Sequence, residues 1–119
     1  MIRRKNERFE KSIEAFREGK LTTEISSFLT EEEAYGTGRN FSVNTLPPGG
    51  SIGWHQHVGD FEIYLILNGT AKVQENDKTE HELTVGDVMF CEDGAFHSIE
   101  NVGKDKLDFL AIIIYTFKK

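Results

Sequence analysis

From residue 38 onward the chain reads as short runs of apolar, β-branched and aromatic residues broken by turn signals. Residues 39–46 form one such run, and Pro47-Pro48-Gly49-Gly50 stops it, since proline cannot donate to a strand ladder. Residues 61–67 are strongly apolar and end at Asn68-Gly69, a turn pair. Residues 70–74 and 79–85 flank a polar tetrad and predict a hairpin. Residues 87–91, 97–101 and 107–117 predict three further strands, separated by Glu92-Asp93-Gly94 and by residues 102–106. Earlier in the chain, residues 21–29 alternate as a strand does. Thr30 with Glu33 matches a capping box, so a helical turn is expected there. Phe9, Ile13 and Phe16 fall at helical spacing and predict a short helix over 9–18, ended by Gly19. About eight short strands at regular spacing predict an all-β sandwich, jelly roll or small barrel. The long segments of period 3.6 that a helical bundle or parallel α/β sheet needs are missing.

A length of 119 residues bounds this to one domain, divided into an N-terminal arm over 1–37 and a barrel over 38–119. The 38% hydrophobic content is too high for a disordered chain. No apolar run is long enough to span a membrane, and no apolar stretch follows the basic start, so no secretory signal is expected. The net charge of −6 argues against nucleic acid as a partner. That charge is uneven: residues 1–20 carry seven basic and four acidic side chains, a local excess of +3. Cys91 is the single cysteine and has no disulfide partner in the chain, which predicts a small buried thiol and a reducing cytoplasm.

Candidate chemistry rests on the histidines. His55 and His57 are two residues apart, so on a strand both face the same side. Glu62 leads into an apolar strand, where a lone charge is costly to bury. His97 comes from a separate hairpin. Three imidazoles and a carboxylate suit one divalent transition metal, and manganese, iron, cobalt, nickel and zinc all accept such a set.

At these residues the sequence resembles the cupins. Their first motif, G-x5-H-x-H-x(3,4)-E-x6-G, is met by Gly49, His55, His57, Glu62 and Gly69. Their second, G-x5-P-x-G-x2-H-x3-N, is met by Gly86, Gly94, His97 and Asn101, with Glu92 in place of the proline. That departure bears on loop stiffness rather than on metal binding. The two motifs span residues 49–101. The resemblance implies a double-stranded β-helix barrel, jelly-roll-like, with one divalent metal held by His55, His57, Glu62 and His97 in its mouth.

It also implies a choice of activities: an isomerase of a sugar or sugar phosphate, a decarboxylase of a small acid, an iron-dependent dioxygenase, or a non-catalytic metabolite-binding barrel. Strand alternation from Glu62 places Tyr64 on the metal side, as a candidate catalytic or substrate-binding hydroxyl. Arg39 and Phe41 are candidate substrate-binding residues if their face of the strand looks inward, with Arg39 gripping a carboxylate or phosphate. Basic residues are few within 38–101, which disfavours a doubly charged ligand unless Arg3 or Arg4 of the arm contributes. His81 is expected to be exposed. Phe90 and Phe96 are expected to fill core. In the last strand Leu107, Phe109, Ala111 and Ile113 share one face, leaving Leu110, Ile112 and Ile114 on the other. Covering that second apolar face predicts a homodimer.

Overall fold

Ten strands form among residues 1–117, which are the residues the computed structural model describes; positions 118 and 119 of the expected barrel lie outside them. In chain order these are β1 (Phe9–Glu14), β2 (Thr22–Ser27), β3 (Gly38–Leu46), β4 (Ser51–Gln56), β5 (Asp60–Asn68), β6 (Ala71–Gln74), β7 (Glu80–Leu83), β8 (Val88–Cys91), β9 (Phe96–Asn101) and β10 (Leu107–Tyr115). They assemble into a six-stranded sheet, β1-β2-β3-β10-β5-β8, facing a four-stranded sheet, β4-β9-β6-β7. All pairings are antiparallel, giving the expected all-β jelly-roll barrel. No helix among the described residues is long and apolar enough to cross a membrane.

The core lies between the sheets. Leu46, Ile52, Tyr64, Ile66, Ala71, Val73, Met89, Ile99, Leu107, Phe109 and Ala111 form one buried cluster. Burial alternates along β5 and β10 as the pleat requires, with Leu107, Phe109, Ala111 and Ile113 inside. Asn101 closes β9 by donating from Nδ2 to the carbonyls of Leu46 and Asp105, both at 2.9 Å.

Expectations from the sequence are corrected at several points. The helix over 9–18 is instead β1, followed by a short 3-10 turn at Phe16–Glu18. Phe9, Lys11 and Ile13 also fit a period of two, and six residues of β1 pair with β2, so tertiary pairing decides between the two periods. The face of β3 is also inverted. Asn40, Ser42, Asn44 and Leu46 point inward, while Phe41, Val43 and Thr45 point outward with Ile112, Leu110 and Asp108 of β10. The inward polar groups satisfy one another: Asn40 Nδ2 donates to Ser42 Oγ, and Ser42 Oγ to Asn44 Oδ1, both at 2.9 Å.

That inversion leaves an apolar outer surface on the large sheet. Leu110 sits between Val43 and Leu65, and Ile112 between Phe41 and Ile63. Phe90 extends this surface rather than filling core: it is exposed, and its ring lies 5.2 Å from that of Phe61. Phe96 stacks on Trp54 at 5.6 Å and is half-buried.

The arm does not float free of the barrel. β1 and β2 extend the large sheet beyond β3, and the turn at 15–19 folds back onto β4. Gly19 and Gly53 permit this approach, since a Cβ on Gly19 would strike the Ser51 carbonyl and one on Gly53 the Arg17 carbonyl. Lys20 N donates to Ser51 Oγ and Ser51 N to Lys20 O, each at 2.9 Å. Farther out, Arg3 makes a forked contact with Glu33 at 2.8 Å, and Thr30 and Glu33 complete the expected capping box.

Candidate metal centre

His55 reaches the barrel interior because β4 is bulged. Ile52 pairs with Ile99 and His55 with His97, so three steps along β4 match two along β9. The extra residue lets Ile52 and His55 both line the interior despite opposite parity, and turns Trp54 outward. His57 follows the end of β4 and is held by two backbone bonds, its N–H donating to Ala95 O and its carbonyl accepting from Gly94 N. Glu62 lies on β5 opposite Ile113, and His97 on β9 opposite His55.

These four side chains converge. The imidazole centroids lie 4.7–5.2 Å apart, and one ligating atom from each of the four residues falls within 4.8 Å of the others. His57 Nε2 and His97 Nε2 stand 3.0 and 3.1 Å from Glu62 Oε1, and His55 Nε2 stands 3.1 Å from His97 Nε2. His57, His97 and Glu62 are buried, while His55 is half-buried.

Outer contacts orient the rings. His55 Nδ1 lies 2.6 Å from the Gly53 carbonyl, and His57 Nδ1 lies 2.7 Å from Asp60 Oδ1. Both contacts require Nδ1–H as donor in neutral rings, which leaves each Nε2 lone pair aimed at the common point. There the lone pairs meet the Glu62 carboxylate, acceptor against acceptor. A divalent cation resolves that conflict, so the donor set fits the metal that the motif implies.

A proton on Nε2 can stand in for the cation, and the pKa shifts reflect both pulls. Burial pushes the pKa of His55 down to about 4, so it is neutral near pH 7. Burial also works against a charged His57, but hydrogen bonds and charges from Glu62 and Asp60 outweigh it and raise its pKa. Burial disfavours an ionised Glu62, yet hydrogen bonds from His57 and His97 hold its pKa at about 2. The site therefore presents a carboxylate over the working pH range.

Tyr64 stacks on His97 with centroids 4.9 Å apart and planes 11° apart. Burial and the neighbouring Glu62 charge raise its pKa well above 10, so its hydroxyl keeps its proton. Cys91 is buried and its thiol is pushed up to about 12 by burial and nearby carboxylates, which suits a packing role. His81 is exposed, 3.2 Å from Glu75.

A cavity of about 270 Å³ opens beside three of the donors, His55, His57 and Glu62. Arg39 lines it, because Gly38 and Asn40 pair with adjacent residues of β10 and leave Arg39 as a bulge. Its Nε donates to Asp60 Oδ2 at 2.8 Å, so Asp60 bridges Arg39 and His57. Tyr64 also lines the cavity; Phe41 faces the other side of β3 and does not. The structure also places Asp60, Asn40, Asn44, Lys11, Ile13, Phe16 and Arg17 at this site, none of them a site residue expected from the sequence. For Asp60 a signal existed, three residues after His57. For Lys11 and Arg17 none did, because their position depends on how the arm folds; Arg3, by contrast, is spent on Glu33.

Comparison with known proteins agrees with the fold. A relative from Thermotoga maritima, called oxalate-binding protein, is 41% identical over 114 residues, covering 96% of this chain and 93% of its own. A crystal structure described as a predicted oxalate decarboxylase from Thermotoga maritima superposes with a TM-score of 0.93 at 40% identity, covering 98% of this chain and 100% of that one. The cupin domain of Drosophila melanogaster CENP-C shares the fold at 16% identity, with a TM-score of 0.75 over 94% of this chain and 74% of that one.

Replacing Asp60 with asparagine leaves all four donors but weakens the acceptor that fixes His57. Asp60→Asn is expected to lower metal affinity by about 10- to 100-fold, read by competition with a chelating dye. An unchanged affinity would show that Asp60 does not orient the ring.

The model of the cupin domain matches residues 42–113, the stretch that holds all four converging donors, and this chain belongs to the cupin family.

Proposed function

We propose that this cupin binds a small carboxylic acid at a single divalent metal held by His55, His57, Glu62 and His97. The observation that carries the reading is the cavity itself. His55, His57 and Glu62 line it, and Arg39, Asn40, Asn44 and Tyr64 add further polar groups around the same space. At about 270 Å³ it falls below the range of about 300–1,000 Å³ typical of drug-sized ligands, which suits a small metabolite. The name oxalate-binding protein and the description predicted oxalate decarboxylase, given to the Thermotoga maritima matches, point to the same class of ligand.

A bound metal would supply open coordination positions and Lewis acidity for a carboxylate oxygen. The chain's own groups do the rest. Arg39, steadied by Asp60, offers its remaining N–H groups toward the cavity. Tyr64 offers a hydroxyl from the core side. Ile13, Ile52 and Ile113 line the same space and limit water around the ligand. In a catalytic version the acid would lose carbon dioxide, with Tyr64 as the candidate proton donor; in a non-catalytic version the acid would only be retained. The free buried thiol of Cys91 favours a reducing cytoplasm as the setting.

Oxalate titrated into manganese-loaded protein is expected to bind, and to fail with chelator-stripped protein. Equal binding in both would overturn the metal-centred reading. Carbon dioxide release during the same incubation separates enzyme from binder.

We also propose a homodimer, formed over the outer apolar surface of β3, β10, β5 and β8. Half-buried Val43, Ile63, Leu65, Leu110 and Ile112, with exposed Val88 and Phe90, are costly to leave in water. Light scattering at micromolar concentration should report twice the chain mass. A monomer there would contradict the assignment.

A further inference from the structure

We propose that Arg17 and Lys11 of the N-terminal arm recognise a second negative charge on the ligand, making this site selective for short dicarboxylates over monocarboxylates. This rests on the small-acid reading above and adds to it which acids are chosen and by which residues.

Both side chains line the cavity that contains His55, His57 and Glu62. They arrive from outside the barrel: Lys11 from the inner face of β1, and Arg17 from the turn that folds onto β4. Among the described residues, no carboxylate lies within ion-pairing distance of either one. Arg39 in the same cavity differs, because Asp60 already balances it. The charge count follows from these contacts. A divalent ion on Glu62 leaves one positive charge, the Arg39–Asp60 pair adds none, and Lys11 and Arg17 add two. A monocarboxylate leaves that excess largely uncompensated, whereas a dianion answers both the metal and the arm.

Arg17 is also placed at a conformational cost. Ala15, Arg17, Glu18 and Leu21 have φ of 50°, 54°, 64° and 59°, a left-handed backbone that side chains resist. The strain persists because the turn is pinned: Ala15 N donates to Leu21 O at 2.8 Å, and the Gly19 and Gly53 backbones abut. Gly53 is also the residue whose carbonyl orients His55. The arm's cation is thereby tied to the strand that carries a metal donor. The Arg17 guanidinium rests 5.8 Å from the Phe16 ring, and Phe16 lines the cavity too.

The test compares malonate with malonamate, which keeps one carboxylate and replaces the other with a neutral amide of similar shape. Both are titrated into manganese-loaded wild-type protein and into the Lys11→Gln/Arg17→Gln double variant, with metal content and Tm measured on each. Wild type is expected to prefer malonate by about tenfold or more, since charge-assisted hydrogen bonds are about twice as strong as neutral ones. The double variant should hold its metal, bind malonamate as before, and lose most of the preference. Arg17→Lys should retain a measurable part of it. A double variant that keeps the full preference would overturn the assignment to Arg17 and Lys11 while leaving the small-acid reading standing. Wild-type protein that holds metal but binds neither acid would overturn that reading and this one together. Inorganic phosphate binding more tightly than malonate would overturn the choice of a dicarboxylate.

Discussion

A buried carboxylate facing imidazole lone pairs is the constraint around which this molecule is arranged. Glu62 is 5% exposed, and among the described residues the basic groups hydrogen-bonded to it are His57 and His97. Because His57 commits its Nδ1 side to Asp60, only a proton or a metal ion on the Nε2 side reconciles the ring with the carboxylate. An uncompensated charge at that depth would cost several kcal/mol. The barrel supplies the reconciliation geometrically, drawing donors from β4, the loop after it, β5 and β9. Two of those strands belong to one sheet and one to the other, so the site forms only when the sheets face each other.

Irregular strand pairing accomplishes what regular pairing could not. In a perfect ladder Ile52 and His55 would point to opposite faces; the bulge of β4 sends both inward, one to the core and one to the metal. At the end of β3 another bulge brings Arg39 to the cavity, although Phe41 beside it in parity faces out. The price of the close packing around β4 is the left-handed turn at 15–21 and the requirement for glycine at 19 and 53. The arm, the bulge and His55 therefore behave as one structural unit.

Much of this was legible from the sequence, for identifiable reasons. The strands after residue 38 announce themselves by turn residues, and the four metal donors by fixed spacing between turns that the fold holds constant. Asn101 ends β9 with side-chain bonds to backbone, as its type suggests. What escaped depends on contacts distant in sequence. The period of Phe9, Ile13 and Phe16 fits helix and strand alike, and pairing with β2 decides it. The inward face of β3 is polar and its outward face apolar, which reverses the usual inference from hydropathy; only the neighbouring β10 reveals it. The sequence points to cations of the barrel segment and to Arg3 or Arg4. Instead Lys11 and Arg17 reach the cavity, by a backbone path that no local pattern encodes.

We propose that the four-residue cluster holds one divalent ion. Elemental analysis of wild-type protein and of Glu62→Gln, each incubated with manganese, iron, cobalt, nickel or zinc and then desalted, tests it most directly. Close to one equivalent of metal per wild-type chain is expected, with a large loss in Glu62→Gln and both proteins folded by circular dichroism. Wild-type protein that takes up none of these ions, or a Glu62→Gln variant that keeps its full complement, would contradict it.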